Sequence, residues 1–301
     1  MRPSLLFISI FTLLMSSCKP EFVTKYLDIE GHRGCRGLLP ENTIPAFKEA
    51  IDIGVTTLEM DLAISADSVV IVSHEPFFNH EISTPPGDDT ITAQNQYEFN
   101  IYKMSLDSVQ KWDVGLKPHS RFPDQKKIAV VKPTLDEVFT FAEAYAAEKG
   151  HDPLFYNIEI KSSPRGDELY HPQVGRFADL VMEVVQKHGL EDRTILQSFD
   201  LRALQYMNAT FPDIATALLI ANKKTIQENV EELGFKPTIY SPSFELINEV
   251  VTTYCDKNDI KLIPWTVNEP DDILNVIEMG VYGIISDYPD RVVSIWNEMN
   301  Q

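Results

Sequence analysis

Cysteine is scarce in this chain. Three among 301 residues, Cys18, Cys35 and Cys255, cannot staple a fold, so the disulfide frameworks of small exported domains are excluded. Stability must come from a buried core, and a hydrophobic content of 44% over this length supplies one. Cys35 and Cys255 lie far apart in sequence and read as buried free thiols. Basic residues are also few: 26 Lys and Arg stand against 45 Asp and Glu, a formal charge of −19 at pH 7. Such a surface repels phosphate polymers, which excludes nucleic acid as a substrate but leaves room for a local basic pocket around one phosphate. No Gly/Ser-rich or charge-block linker divides the chain, and no internal repeat is found. One large domain is expected, although length alone admits two of about 150 residues. No Gly-rich nucleotide loop follows a candidate strand, which argues against a dinucleotide-binding fold.

The one apolar run at the start of the chain belongs to a targeting segment. Arg2, the stretch Leu5 to Met15 and the pair Ser16-Ser17 form the n-region, h-region and small-residue site of a secretory signal, too short to span a bilayer as a stable anchor. Leu14-Met15-Ser16-Ser17-Cys18 resembles a bacterial lipoprotein processing site, which implies that Cys18 becomes the lipidated first residue. Met15 departs from the leucine usual three residues before that cysteine, and a plain secretory signal is the alternative. The expected organisation is a signal peptide over 1–17, a tether over 18–26 and a barrel domain over 27–301. The mature protein is then exported and lipid-anchored to a bacterial membrane, periplasmic or at the cell surface. Loss of 1–17 removes a single basic residue, Arg2, and makes the body one unit more negative.

Beyond the tether, residues 26–32 alternate and end in Gly and Arg, as a first strand entering a polar loop does. Asn42, Thr43, Pro45 and Gly54 predict a helix over 42–53. Strands are expected over 55–64 and 69–74, separated only by Ser65-Ala66-Asp67-Ser68, a hairpin length. Residues 76–133 are rich in Pro, Asp, Asn and Lys and read as an insertion over the mouth of the scaffold, with a short helix near 105–112. From Thr134, whose pairing with Glu137 is a capping box, helices and apolar strands alternate. Strands are expected over 154–160, 194–198, 215–220, 237–241, 260–267 and 283–286. Helices are expected over 134–148, 172–188, 200–211, 225–233, 243–257, 270–279 and 289–299. This rhythm indicates an α/β fold, a distorted (β/α)8 TIM barrel with an inserted subdomain after the third strand. Nine strand candidates compete for eight places, and the hairpin is the expected irregularity.

Polar residues gather at the C-terminal ends of these strands, where barrel enzymes carry their sites. With Ala66-Asp67 as a two-residue loop, antiparallel pairing sets Glu59 opposite His74 and Asp61 opposite Val72, so that Glu59, Asp61 and His74 share a face. Paired buried carboxylates are costly without a compensating cation. Glu159, with Lys161 on the same face of its strand, adds a third. Three oxygen ligands suit Mg²⁺ or Ca²⁺ rather than zinc; a structural Glu159–Lys161 ion pair is the plainer alternative. His32 and His74 are two imidazoles fit to move protons in a displacement at phosphorus, and Arg33 and Lys161 can neutralise phosphate oxygens. A lone histidine at a strand end more often only bonds a loop, but two beside two acids favour chemistry.

His32-Arg33-Gly34, Pro40-Glu41-Asn42-Thr43 with Ala46-Phe47, Glu59-Met60-Asp61, His74 and Ile158-Glu159-Ile160-Lys161 together resemble the glycerophosphodiester phosphodiesterase family, over nearly all of the chain from residue 27. The resemblance implies one divalent cation on Glu59, Asp61 and Glu159, and His32 and His74 as acid and base. It puts Arg33 and Lys161 on the phosphate, Glu41 and Asn42 in support, and Trp265 along the glycerol pocket; a core-facing Trp265 is the alternative. It further implies hydrolysis of glycerophosphodiesters to sn-glycerol 3-phosphate and an alcohol, with the glycerol 2-hydroxyl attacking first and water opening the cyclic phosphate. A phospholipase D-like action on intact lipids and a non-catalytic phosphodiester-binding lipoprotein are the competing readings; retention of both histidines and all three acids counts against the second. Two departures stand out. Glu75 follows the second histidine where the family usually has Asp, and 76–83 lacks the usual Arg-Thr-Thr segment. Cys35, beside the first motif, reads as filler of a small space.

Overall fold

The computed structural model describes residues 26–300. The signal segment, Cys18 and the tether up to residue 25 lie outside the described residues.

The chain enters at the floor of a barrel with β1 (Asp28–Gly31) and returns through α1 (Ile44–Ile53) to β2 (Thr57–Ile64). Thr43 caps α1 by accepting from the Ala46 N–H, and Gly54 ends it in the left-handed conformation at φ 95°. After β2 comes the short β3 (Val70–Val72), then an insertion holding the single-turn helix α2 (Leu106–Val109), and then α3 (Leu135–Lys149). The rest alternates without interruption. It runs β4 (Phe155–Ile160), α4 (Val174–His188), β5 (Thr194–Ser198), α5 (Leu201–Thr210), β6 (Ala215–Ile220) and α6 (Ile226–Leu233). It then continues β7 (Ile239–Pro242), α7 (Glu249–Asn258), β8 (Lys261–Leu262), α8 (Pro270–Glu278), β9 (Gly283–Ser286) and α9 (Pro289–Met299).

Eight strands pair in parallel in the order β8-β7-β6-β5-β4-β2-β1-β9, with β3 antiparallel on β2. Closure falls between β8 and β9. Tyr282 N–H donates to the Leu262 carbonyl at 2.8 Å, Ile285 N–H to Pro264 at 3.0 Å and Val267 N–H to Ile285 at 3.0 Å. The strand expected over 260–267 shrinks to Lys261–Leu262 because Pro264 has no N–H to offer a ladder. The helix expected from 243 begins only at Glu249, where Asn248 caps it; a 3₁₀ turn, Phe244–Leu246, takes its first residues.

Alternation along the strands sorts the interior into two halves. Leu58, Met60, Leu62, Tyr156, Ile158 and Ile160 face the helical layer and join the main core, which turns their neighbours Glu59, Asp61, Asn157 and Glu159 into the barrel. Opposite them Ile195, Ala217, Ile239, Ile263 and Ile285 form an apolar inner wall. The insertion has a core of its own, with Phe78 stacked on Trp112 at 4.1 Å and Ile91, Ile101, Val109 and Val114 around them. At the floor, Tyr26 packs its ring against Tyr282 at 5.7 Å, at the end of the barrel opposite the strand termini that carry the polar cluster.

The hairpin differs from its expected register. Leu62 faces Val72, Ala63 faces Ile71 and Ile64 faces Val70, and Ser65 N–H bonds the Val69 carbonyl at 3.0 Å. The loop is therefore Ala66-Asp67-Ser68, with Ser68 left-handed at φ 61°, a three-residue turn instead of two. Asp61 lies opposite Ser73, whose N–H bonds its carbonyl at 2.8 Å, and Glu59 is not opposite His74. His74 stands beyond the end of β3, and the start of the insertion, not the pleat, sets its direction.

Candidate active site

Glu59 and Asp61 come from the middle of β2 and Glu159 from near the end of β4, where Asp61 and Glu159 are register partners. One carboxylate oxygen of each lies within 4.8 Å of the others, and all three residues are buried. Glu59 accepts from the Arg33 backbone N–H and from Gln197 Nε2, both at 2.7 Å. Asp61 accepts from Asn42 Nδ2 at 2.9 Å. Lys161 Nζ stands 3.0 Å from Glu159 Oε1 and 3.6 Å from Asp61 Oδ1. Burial and the neighbouring Asp61 charge push Glu59 well above the usual carboxylate range, and burial raises Glu159 despite Lys161. Burial also opposes ionisation of Asp61, but Arg33, His74 and Lys161 outweigh it and hold it well below. Three enclosed acids of which two resist ionisation form a hard-oxygen donor set short of positive charge, and a divalent cation fits that need.

The loop between β1 and α1 wraps over this cluster. A Cβ on Gly31 would lie 2.1 Å from the Gly34 carbonyl and one on Gly34 2.7 Å from the Ala46 backbone, so the tight turn requires both glycines. Arg33 and Asn42 adopt left-handed backbones at φ 51° and 57°, an uncommon state for Arg that the surrounding bonds impose. Arg33 is buried, with Nη1 2.8 Å from Glu41 Oε1 and Nε 3.3 Å from Asp61 Oδ2. Glu41 and Asn42 thus reach the site through Arg33 and Asp61 respectively. Cys35 is fully buried among Leu39 and Ala46, and its thiol donates to the Ala46 carbonyl at 3.3 Å. Burial pushes both Cys35 and Cys255 upward, Cys255 to about 12, and both are free.

Both imidazoles are oriented by acids. His32 Nδ1 lies 2.6 Å from Asp287 Oδ1. Asp287, just past β9, also accepts from Arg36 Nε at 2.8 Å and Asn268 Nδ2 at 2.8 Å. Burial, with Arg36 and Arg33 nearby, pulls His32 down to about 4 against the upward pull of Asp287. His74 Nδ1 lies 2.9 Å from Glu75 Oε1. Burial works against ionisation of Glu75, yet the bond to His74, with Arg33 and Lys132 close by, carries it down to about 2. Glu75, where the family usually has Asp, has the reach to hold the ring of the residue just before it.

These groups open into one cleft of about 310 Å³ lined by His32, Glu59, Asp61, His74, Glu159 and Lys161. Trp265 forms its wall, anchored by Nε1 on the Ser241 carbonyl at 2.8 Å and set edge-on to Phe199 at 5.5 Å. The structure brings every residue singled out for chemistry to this one mouth, apart from Glu41 and Asn42, which brace it, and Cys18, which lies outside the described residues. Sequence reasoning missed Asp287, Arg36, Lys132 and Arg121, and did not give Gln197 its role on Glu59. An acid directly after the last strand was a usable sign for Asp287; the others depend on contacts made only when the barrel closes.

A model of the glycerophosphoryl diester phosphodiesterase family matches residues 32–291. The chain belongs to this family. A glycerophosphodiester phosphodiesterase of Caldanaerobacter subterraneus subsp. tengcongensis is 29% identical over 268 residues, 88% of this chain and 95% of that protein. A putative glycerophosphoryl diester phosphodiesterase from Silicibacter pomeroyi superposes with a TM-score of 0.80 at 26% identity, over 91% of this chain and 94% of that one. An Oleispira antarctica phosphodiesterase, solved with the product sn-glycerol-3-phosphate, has a TM-score of 0.71 at 20% identity, covering 91% and 98%, and shares the barrel fold.

Proposed function

We propose that this family member hydrolyses glycerophosphodiesters to sn-glycerol 3-phosphate and an alcohol during glycerophospholipid breakdown, with one Mg²⁺ or Ca²⁺ on Glu59, Asp61 and Glu159. The convergence of three buried carboxylates with two acid-oriented histidines in one cleft carries this reading. The product held by the Oleispira relative agrees with it. When bound, the cation neutralises charge on the phosphate oxygens. Arg33, which keeps guanidinium donors beyond its Glu41 bond, and Lys161 add positive charge to the same oxygens.

His32 suits the base. Asp287 engages Nδ1, and burial keeps the ring neutral down to about pH 4, so Nε2 has a lone pair for the glycerol 2-hydroxyl proton. The hydroxyl oxygen bonds phosphorus as the alcohol oxygen leaves, and His74 Nε2 gives that oxygen a proton while Glu75 steadies Nδ1. Water then opens the cyclic phosphate with the two roles exchanged. Residues 1–18 place the enzyme outside the cytoplasm, held to a bacterial membrane through Cys18.

The test uses purified residues 19–301 with glycerophosphocholine and glycerophosphoethanolamine, following glycerol 3-phosphate. Chelation is expected to abolish turnover and added Mg²⁺ or Ca²⁺ to restore it. His32→Ala and His74→Ala are each expected to lose about 10²–10⁴-fold in kcat with the fold intact. Unchanged turnover in either variant removes the acid–base assignment.

A further inference from the structure

Arg121 comes from the insertion, yet it lines the same cleft as His32, Asp61 and Lys161. The other cations of the cleft are engaged: Arg33 with Glu41, Arg36 with Asp287, and Lys161 with Glu159 and Asp61. Arg121 differs. Its side chain is 56% exposed and its one ion pair among the described residues is a long contact to Glu81 at 3.6 Å. The backbone beneath it is fixed. The Arg121 N–H donates to Nδ1 of buried His119 at 3.3 Å, and Phe122 carries the Arg36 guanidinium on its face at 4.9 Å. Gln125 Nε2 then clamps the turn to the loop after β1, donating to the carbonyls of Arg36 at 2.7 Å and Leu39 at 3.1 Å. A guanidinium held only by a long, exposed ion pair on a pinned turn is a ready contact for an anion.

Phe199, Leu219, Trp265 and Ile285 line the cleft with apolar surface, from just past β5, from β6, from the segment after β8 and from β9, while His74 lines it from the root of the insertion and Arg121 from within the insertion. On the proposed mechanism His74 protonates the leaving alcohol, so that alcohol lies beside the insertion. We propose that Arg121 reads the alcohol and selects glycerophosphodiesters whose leaving group carries a carboxylate or a second phosphate over those carrying choline. Glu81 neutralises the guanidinium in the free enzyme and yields it to the substrate anion; a quaternary ammonium meets the positive charge instead. This inference rests on the proposed hydrolysis and names its substrate class.

The experiment compares kcat/KM, in the presence of Mg²⁺, for four substrates. Glycerophosphoserine presents a carboxylate with an ammonium beside it, glycerophosphoglycerol 3-phosphate a second phosphate, glycerophosphoglycerol no charge and glycerophosphocholine a cation. At least one of the two anionic substrates is expected to exceed the neutral one by tenfold or more, and which one does identifies the anion. Arg121→Ala is expected to bring that ratio near one, mainly through KM, with Arg121→Lys keeping part of it. Thermal melts confirm that the exposed substitution leaves the fold intact. A wild-type ratio near one, or an equal loss on all four substrates in Arg121→Ala, overturns the assignment while leaving the hydrolysis standing. No turnover of any of the four overturns the hydrolysis and this inference with it.

Discussion

Glu30 lies on β1 with its side chain wholly enclosed. Oε2 accepts from Asn157 Nδ2 at 2.7 Å, while Glu30 Oε1 and Asn157 Oδ1 have no protein partner. Burial and the Asp28 charge push Glu30 well above the usual carboxylate range, and the Asn157 bond offsets this only in part. A proton on Oε1 turns the two side chains into an acid–amide pair and supplies a donor for the orphaned amide oxygen. The folded state therefore holds a proton that the unfolded chain releases. Stability from this site is complete below the ordinary carboxylate range of the unfolded chain and falls as pH rises toward the higher folded value. Glu30→Gln keeps a donor without the titration, so it is expected to match the parent at pH 5 and to melt higher at pH 8. A melting difference that does not change with pH between these values contradicts this. Residues of this kind show what the sequence made legible. Glu59, Asp61 and Glu159 were readable because period-two alternation puts them on one face of a strand end. The partners that hold such groups were harder to read, because Gln197 lies 138 positions from Glu59 and Asp287 255 from His32, and each pair meets only once the barrel has formed.

Element boundaries followed local chemistry where that chemistry was strong. The capping box Thr134/Glu137 forms as read, and a second one, Thr225/Glu228, opens the helix expected over 225–233. Reading failed where a single residue shifts a register. Ala66-Asp67 is not a strong turn pair, and Ser68 in the left-handed region adds a third loop residue, which moves every facing pair of the hairpin by one. The insertion was legible as an interruption with one short helix, found at Leu106–Val109, but its core was not, since it joins Phe78 to Trp112 across a stretch of weak periodicity. That core bears on catalysis because His74 and Glu75 sit at the root of the insertion it holds together, and Arg121 belongs to the same insertion. Trp112→Ala empties a site that is 4% exposed and should cost about 3–5 kcal/mol. Limited trypsin digestion is expected to cut sooner within 76–133 than in the parent, with a fall in kcat/KM. Loss of overall stability without faster cleavage there would show that the insertion does not loosen as a unit.

At the scale of the whole molecule, the eight-stranded count and the extra hairpin arm were readable from the βα rhythm, and β3 is the surplus strand. The rhythm does not say which strands meet at the seam, and so hid how briefly β8 pairs. No helix of the described residues has the length and apolarity to cross a membrane. If Cys18 carries a lipid, as proposed, Tyr26, packed on Tyr282 at the floor, sets the pole of the body that such a leash would pull down. Residues 19–25 stretch at most about 25 Å, less than the roughly 48 Å breadth that a radius of gyration of about 19 Å implies for a domain of this length. On the proposed anchor, a leash of that length would not reach around to turn the mouth toward the lipid, and the molecule would feed from the water above it. On vesicles carrying the acylated chain, dissolved glycerophosphocholine should be consumed as fast as by unanchored protein, while lysophosphatidylcholine embedded in the same leaflet is spared. Equal consumption of both would mean that the body lies on its side against the bilayer and grazes where it stands.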